Sequence, residues 1–167
     1  MKVFKSLLLI VICACISKNA ASQDVMLNIL AQNSGVVKQN ETVFLEVTVC
    51  NTNSTIAVPV YKLKPQLSFP SELVSIPDSG HILPPGWTIS FNNGSVIKLS
   101  NGTDQLPAND CRTILILMRG KNVGGPSTIS GNLNFSNGVA PGSLSGNATA
   151  GDNPADNASS STIKVIQ

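Results

Sequence analysis

The chain has 167 residues, of which only 12% are charged and 4% are aromatic, and its formal net charge is +2. Three lysines lie in an apolar N-terminal segment, and without them eight basic residues face nine acidic ones. This near-neutral balance excludes the basic surface that nucleic-acid binding requires, and the length fits one domain.

The first 22 residues have the pattern of a secretory signal. Lys2 and Lys5 precede an apolar run at 7–16, and small and polar residues follow up to Gln23. This pattern predicts a signal peptide at 1–22, a single domain at 23–167 and no transmembrane segment in the mature chain. A second interpretation stays open, because residues 12–15 resemble a lipobox in which Cys15 would be lipidated. Either way we expect a secreted, extracellular or cell-surface protein, with the periplasm as the alternative.

The most regular alternation lies at 41–51. Four aliphatic residues from Val43 to Val49 face one side of an extended chain, and Phe44 shares the other side with polar residues. Because successive side chains of a strand point to opposite faces, this segment is predicted to be a half-buried strand.

The remaining segments are also typical of strands rather than helices. A hairpin is predicted at the Asn-Asn-Gly turn of 92–94, and Pro59 implies that its strand lies at a sheet edge or carries a bulge. A long loop or short hairpin is expected at 137–160. Short strands separated by Gly, Pro and Asn turns predict an all-β protein, an Ig-like antiparallel β-sandwich. In chain order, the other predicted strands lie at 24–30, 56–63, 81–90 (a turn entering a short strand), 95–99, 111–119, 128–136 and 161–166.

The order of several short motifs is similar to that of a known family. The motifs are Glu-Thr-Val-Phe-Leu-Glu-Val-Thr-Val-Cys-Asn-Thr-Asn at 41–53, Leu-Pro-Pro-Gly-Trp at 83–87, Leu-Pro-Ala-Asn-Asp at 106–110 and Asp-Asn-Pro-Ala-Asp-Asn at 152–157. Together they resemble the bacterial conserved repeat domain, and the related cell-adhesion domain of bacteria shares its architecture. The resemblance implies an extracellular structural or adhesive module without catalytic activity.

Cys50 and Cys111 are the two cysteines that follow the predicted signal. In an exported protein an even pair of cysteines is usually oxidised, so we predict a disulfide between them. Cys50 shares a face with Thr48 and Glu46, so the bridge is expected at a strand end or on the outer face of the sandwich.

Two acidic turns offer oxygen atoms to a cation. Asp152 and Asp156, with Asn153 and Asn157, are weak candidates for Ca²⁺, and the segment 101–110 is a second weak candidate. Neither has the spacing of an EF-hand loop, and the same residues are ordinary turn formers. We therefore expect a turn at each position, with no metal and no cofactor.

No catalytic set of residues is evident in the sequence. His81 is the only histidine, and neither a nucleophile elbow nor a zinc-binding cysteine pair accompanies it. We expect a non-enzymatic protein that contacts an extracellular or surface protein, or a glycan, and that associates with itself through edge strands. The alternative is an accessory calcium or carbohydrate binder in which Trp87 is an exposed anchor, although a lone tryptophan beside Pro85 and Gly86 more often packs over one end of a sandwich.

Seven asparagines have the N-glycosylation pattern, and many such matches arise by chance in a chain so rich in Asn, Ser and Thr. If the source is bacterial, as the resemblance implies, we expect most of them to have no significance. The seven are Asn40, Asn53, Asn93, Asn101, Asn134, Asn147 and Asn157.

Overall fold

The computed structural model describes residues 24–136 and 152–167. The predicted signal at 1–22, the alternative lipidation of Cys15 and most of the loop predicted at 137–160 lie outside the described residues. Within them the chain forms ten strands and two short 3-10 turns, Asn33–Gly35 and Pro154–Asp156. The strands are β1 (Val25–Ala31), β2 (Val36–Lys38), β3 (Thr42–Asn51), β4 (Leu63–Ser68), β5 (Val74–Ser75), β6 (Thr88–Asn92), β7 (Val96–Ser100), β8 (Asp110–Gly120), β9 (Gly124–Phe135) and β10 (Ala158–Ile166).

These strands form two facing sheets. One has four strands in the order β1-β3-β8-β5, and the other has six in the order β2-β10-β9-β4-β7-β6. All strand pairings are antiparallel except that of β2 with β10, which is parallel. The predicted antiparallel sandwich is thus confirmed, with one parallel pair at a corner.

The core follows from the alternation along β3. Val43, Leu45, Val47 and Val49 are buried, as predicted, while the residues between them are half-buried on the outer face. β1 has the same period, with Val25, Leu27 and Ile29 buried, and β8 adds Ile114, Ile116 and Met118. These rows meet the inner face of the six-stranded sheet, so one continuous core lies between the two sheets.

The predicted Asn-Gly hairpin joins β6 to β7. The Oδ1 atom of Asn93 accepts hydrogen bonds from the backbone N–H groups of Ser95 and Val96, at 3.1 and 2.7 Å. Gly94 has φ +83°, a conformation that glycine adopts without the steric cost of a side chain. The hairpin predicted from Asn-Asn-Gly is thus confirmed, because Asn93 and Gly94 form its turn.

The strand predicted at 56–63 is wrong. Only Val58 pairs there, in an isolated bridge with Leu106, and β4 begins at Leu63. Tyr61 has φ +60°, and the Lys62 N–H donates to the Pro59 carbonyl at 3.4 Å. The chain turns at this point because Pro59 provides no N–H for a ladder.

The outer edge of β1 is covered by side chains instead of another strand. The Ile29 and Ala31 N–H groups donate to the hydroxyls of Ser159 and Ser161 on β10, at 3.1 and 3.0 Å. The Val25 N–H donates to Oδ1 of Asp152 at 3.2 Å. Because these amides are already bonded, this edge is a poor template for strand addition.

Candidate functional site

The disulfide joins Cys50 and Cys111, which are direct partners in the register of β3 and β8. Their Cα atoms are 4.1 Å apart. Both cysteines lie on the face opposite the buried valines, Cys111 exposed and Cys50 half-buried. The bridge is therefore at a strand end and on the outer face, as the sequence predicted, and it does not cross the core.

A structural ion-pair network lies beside the disulfide. Arg112 contacts Asp104 through Nε at 2.9 Å and Asp110 through Nη1 at 2.6 Å. The hydrogen bond from Arg112 lowers the pKa of Asp110, and the same bonds raise the pKa of Arg112. Asp104, in the second weak acidic turn, is thus paired with a guanidinium and has the geometry of a structural residue.

Trp87 is not exposed. Its side chain is only 4% accessible, and its indole N–H donates to Oδ2 of Asp104 at 2.7 Å. A tryptophan that anchors a sugar needs an open ring face, whereas this ring is part of the core. The interpretation of Trp87 as an exposed carbohydrate anchor is therefore wrong.

The acidic residues of 152–157 meet the start of β1. The backbone N–H of Asn153 donates to Oδ1 of Asp24 at 3.1 Å, and the side-chain Nδ2 of Asn157 donates to Oδ2 of Asp152 at 2.5 Å. Burial, followed by the charges of Asp24 and Asp152, raises the pKa of Asp156. We call these five residues the acidic corner: Asp24, Asp152, Asn153, Asp156 and Asn157.

Two acceptor oxygens of the acidic corner have no hydrogen-bond partner. They are Oδ1 of Asp156 and Oδ1 of Asn157, and both atoms are buried. Within 24–136 and 152–167, however, no three His, Cys, Asp or Glu side chains are grouped closely enough to hold a metal ion together. Any cation here would need amide or backbone oxygens as well, so Ca²⁺ at this corner stays the weak candidate that the sequence offered beside the expected turn.

His81 connects a loop to β8. Its Nδ1 atom accepts the backbone N–H of Leu117 at 3.0 Å, and its Nε2 lies 2.8 Å from the Pro77 carbonyl oxygen. Because Nδ1 accepts, Nε2 carries the proton and donates. Both ring nitrogens are thus engaged by backbone groups, the arrangement of a structural histidine.

The outer face of the four-stranded sheet carries an apolar surface that the sequence interpretation did not identify. Leu30 is 58% exposed and Ile82 is 55% exposed, while Phe44, Leu115 and Leu117 are half-buried. We call these five residues the outer patch.

The strand register shows that the outer patch is contiguous. Leu30 is opposite Glu46, which is opposite Leu115, which is opposite Ile82. Paired residues on adjacent strands point to the same side, so this row crosses the sheet over about 14 Å, three strand spacings. Phe44 and Leu117 form the neighbouring pair of the next row.

The signal that indicates this surface is the position of Phe44. It lies among the polar residues of β3, on the outward side. Leu115 and Leu117 occupy the same side of β8, where a solvated face would carry polar residues. A phenylalanine on this side is either exposed or covered, by the loop at 137–160 or by a partner, and most of that loop lies outside the described residues. Within the described residues the cross-strand neighbour of Phe44 is Leu117.

The described residues contain no helix that is both long and apolar enough to span a membrane.

Comparison with known proteins identifies the fold. No protein-family model matches the chain, and no curated protein matches it. A cohesin module from a Clostridium perfringens family 33 glycoside hydrolase is similar in structure, with a TM-score of 0.53 and 10% sequence identity. That alignment covers 87% of this chain and 97% of the cohesin module.

Two further solved structures are similar with lower scores. The CARDB domain of a Pyrococcus furiosus protein, in complex with di-metal ions, has a TM-score of 0.48 and 14% identity, with 87% of this chain and 96% of that one covered. A Nocardia farcinica protein with an immunoglobulin-like fold has a TM-score of 0.48 and 13% identity, with 82% and 98% covered. At such identities a likeness shows the fold alone. The two facing sheets, together with the similarity to the cohesin module, make the chain an Ig-like β-sandwich.

Proposed function

We propose that this domain is a non-catalytic extracellular module, structural or adhesive, that binds another protein through the outer patch. The observation that supports this proposal is the exposed apolar row on the four-stranded sheet. Apolar surface that is contiguous and rimmed by polar residues is a property of protein-binding sites. Leu30 and Ile82 keep more than half of their surface in water, so a partner that covers them gains hydrophobic stabilisation.

Glu46 gives the outer patch a charge preference. It lies between Leu30 and Leu115 in the row and is half-buried. A carboxylate enclosed by apolar side chains loses hydration when a partner covers it, unless the partner supplies a cation. The partner we propose therefore has an apolar surface with a Lys or Arg side chain directed at Glu46.

The edges of the sheets favour face-to-face contact over strand addition. Three amides of β1, those of Val25, Ile29 and Ala31, are bonded to Asp152, Ser159 and Ser161. β6, one of the two edges of the other sheet, has a register shift between Ile89 and Phe91, which interrupts the row of hydrogen-bonding groups. Self-association by edge strands, which the sequence predicted, is therefore secondary in this proposal.

The proposal is tested by placing charge on the outer patch. Leu30→Glu and Ile82→Glu are each expected to reduce the fraction of labelled domain that binds to its producing cells by at least about tenfold, because a buried, unpaired carboxylate costs more than 1.4 kcal/mol. Light scattering of the purified domain shows whether a second copy is the partner.

Val123→Glu is the matched control. Val123 is 50% exposed, but it lies in the turn between β8 and β9, away from the outer patch. This variant is expected to bind as the wild type does. Equal binding by all three variants would show that the outer patch is not the contact surface.

Calcium binding at the acidic corner is the second candidate function. The unpartnered buried oxygens of Asp156 and Asn157 favour it, because a hard cation is satisfied by carboxylate and amide oxygens. Asp24 and Asp152 would supply the further negative charge.

A melting experiment tests this second candidate. At a Ca²⁺ concentration one hundred times its Kd, bound calcium is expected to stabilise the fold by about 2.7 kcal/mol. Asp152→Asn should weaken this response, whereas Asp110→Asn should retain it, because Asp110 is paired with Arg112 outside the acidic corner. A melting temperature that calcium leaves unchanged rules this function out.

A further inference from the structure

The sequence contains more N-glycosylation sequons than its composition explains. With 17 asparagines and 30 serines or threonines in 167 residues, random placement gives about three Asn-x-Ser/Thr sequons. The chain has seven. The structure separates those that a glycan can reach from those that it cannot.

Three sequon asparagines are open to solvent. Asn40, between β2 and β3, and Asn134, on the outward side of β9, are both exposed. Asn93, at the tip of the β6–β7 hairpin, is exposed as well. Its side chain caps the hairpin through Oδ1, so these bonds do not engage Nδ2, the atom to which a sugar attaches.

The Nδ2 atoms of two other sequon asparagines are hydrogen-bonded within the fold and are not available to a glycan. Asn101 is 0% exposed, and its Nδ2 donates to the carbonyls of Pro59 and Asp104, both at 2.9 Å. The Nδ2 of Asn157 is bonded to Asp152 in the acidic corner. A glycan on either nitrogen would have to break these bonds. Asn53 is half-buried, and Asn147 lies outside the described residues.

The three open sequons lie outside the outer patch. Asn93 and Asn134 belong to the six-stranded sheet. Asn40 lies in the loop from β2 to β3, where its backbone N–H donates to the Gly120 carbonyl of β8 at 2.9 Å and its carbonyl accepts from Nε of Arg119 at 3.1 Å. None of the three is on β1, β3, β5 or β8, the strands of the four-stranded sheet. A glycan is bulky and solubilising, so glycans at these positions would cover surface outside the outer patch and leave the patch itself without an attached sugar.

We propose that Asn40, Asn93 and Asn134 carry N-linked glycans, none of which is attached to the outer patch. The modification rests on the export proposed above, since its co-reactant is a lipid-diphosphate-linked oligosaccharide of the export pathway. The Nδ2 atom forms a bond to the anomeric carbon while that carbon's bond to the diphosphate oxygen breaks. The proton leaves Nδ2 for a base, and the lipid diphosphate departs with the electron pair.

Glycopeptide mass spectrometry of the protein from its own organism tests the proposal. Peptides that contain Asn40, Asn93 or Asn134 are expected to be heavier by the mass of a glycan, and those with Asn101 or Asn157 are expected at the unmodified mass. If the peptide that contains one of the three open asparagines is found at its unmodified mass, the glycan proposed at that asparagine is ruled out. An occupied Asn101 overturns the structural distinction.

Sequon variants in a glycosylating secretory host provide a second measurement. Thr42→Ala, Ser95→Ala and Asn134→Gln should each remove one glycan from the intact mass, because each destroys one open sequon. Thr103→Ala destroys the Asn101 sequon, leaves Asn101 in place and should leave the mass of attached sugar unchanged. The mass of attached glycan does not depend on partner binding. If the outer patch fails to bind a partner, the glycosylation result still stands or falls by itself.

Discussion

Two buried asparagines hold the irregular segments at one end of the sandwich. The Nδ2 atom of Asn51 donates to the carbonyls of Ile56, Leu106 and Pro107, at 2.7 to 3.3 Å. Asn101 accepts the N–H of Leu63 at 2.8 Å and donates to two further carbonyls. Buried backbone groups that no ladder pairs are costly without a partner, and these side chains provide one.

The same residues show why the sequence predicted turns but not their anchors. Asn51 ends β3 and Asn101 directly follows β7, and asparagine at the end of a strand is typical of an exposed turn. Their burial depends on carbonyl groups far along the chain, which no local pattern reveals. The packing of Trp87 was expected, but its partner Asp104, 17 residues away, was not, for the same reason.

Asp156 provides a prediction of pH dependence. Burial and the charges of Asp24 and Asp152 raise its pKa in the folded state. A group with a raised folded pKa stabilises the fold fully below its unfolded pKa, about 3.9 for aspartate, and loses this contribution as pH rises through the folded pKa. At neutral pH the ionised carboxylate is therefore unfavourable.

Asp156→Asn is accordingly expected to raise the melting temperature at neutral pH and to change it little below the unfolded pKa. The measurement is a series of thermal melts across this range, with a chelator present so that bound calcium does not contribute. A variant that melts lower than the wild type at neutral pH would contradict this account of Asp156.

At the scale of elements, the contact between β1 and β10 closes one corner of the sandwich without a ladder. Ser159 and Ser161 alternate with the exposed residues of β10 and direct their hydroxyls to the amides of β1. A small hydroxyl can reach a backbone N–H at a position where a larger side chain would hold the strands apart. The two sheets therefore meet at this corner through side-chain hydrogen bonds.

Ser161→Ala is expected to destabilise the domain by about 1 to 3 kcal/mol, because it leaves the Ala31 N–H without its partner. Ser160→Ala is the matched control, since Ser160 is exposed and points to the other side of β10. Chemical denaturation measures both variants. If the two variants are equally stable, the hydrogen bond from the Ala31 N–H to the Ser161 hydroxyl does not stabilise the domain.

The strands that the sequence predicted well are those with local signals. β1, β3 and β8 have clear apolar alternation or apolar runs, and the β6–β7 hairpin has Asn93 and Gly94. β2 was not predicted because its three residues pair in parallel with β10, more than 120 positions later. Such a pairing is determined by the closure of the sandwich and leaves no local pattern.

At the scale of the whole molecule, the two sheets differ in the surface that they present. The four-stranded sheet exposes the outer patch, and the exposed sequons lie on or beside the six-stranded sheet. The fold and the disulfide could be predicted from the sequence, since alternation and an even cysteine pair are readable residue by residue. The outer patch could not, because it depends on the register that places Leu30, Leu115 and Ile82 in one row.

The disulfide also determines how far the chain can lengthen when it is pulled. Cys50 and Cys111 are 61 positions apart, and they enclose β4 to β7 in a covalent loop. If tension unravels the domain from its two ends, the chain between these cysteines stays out of the line of force. The disulfide therefore shortens the maximum extension of the unfolded chain by about 220 Å, at roughly 3.6 Å per residue. A module that joins a cell to a surface under flow would therefore extend by a shorter length, and four of the ten strands in the described residues would bear no load.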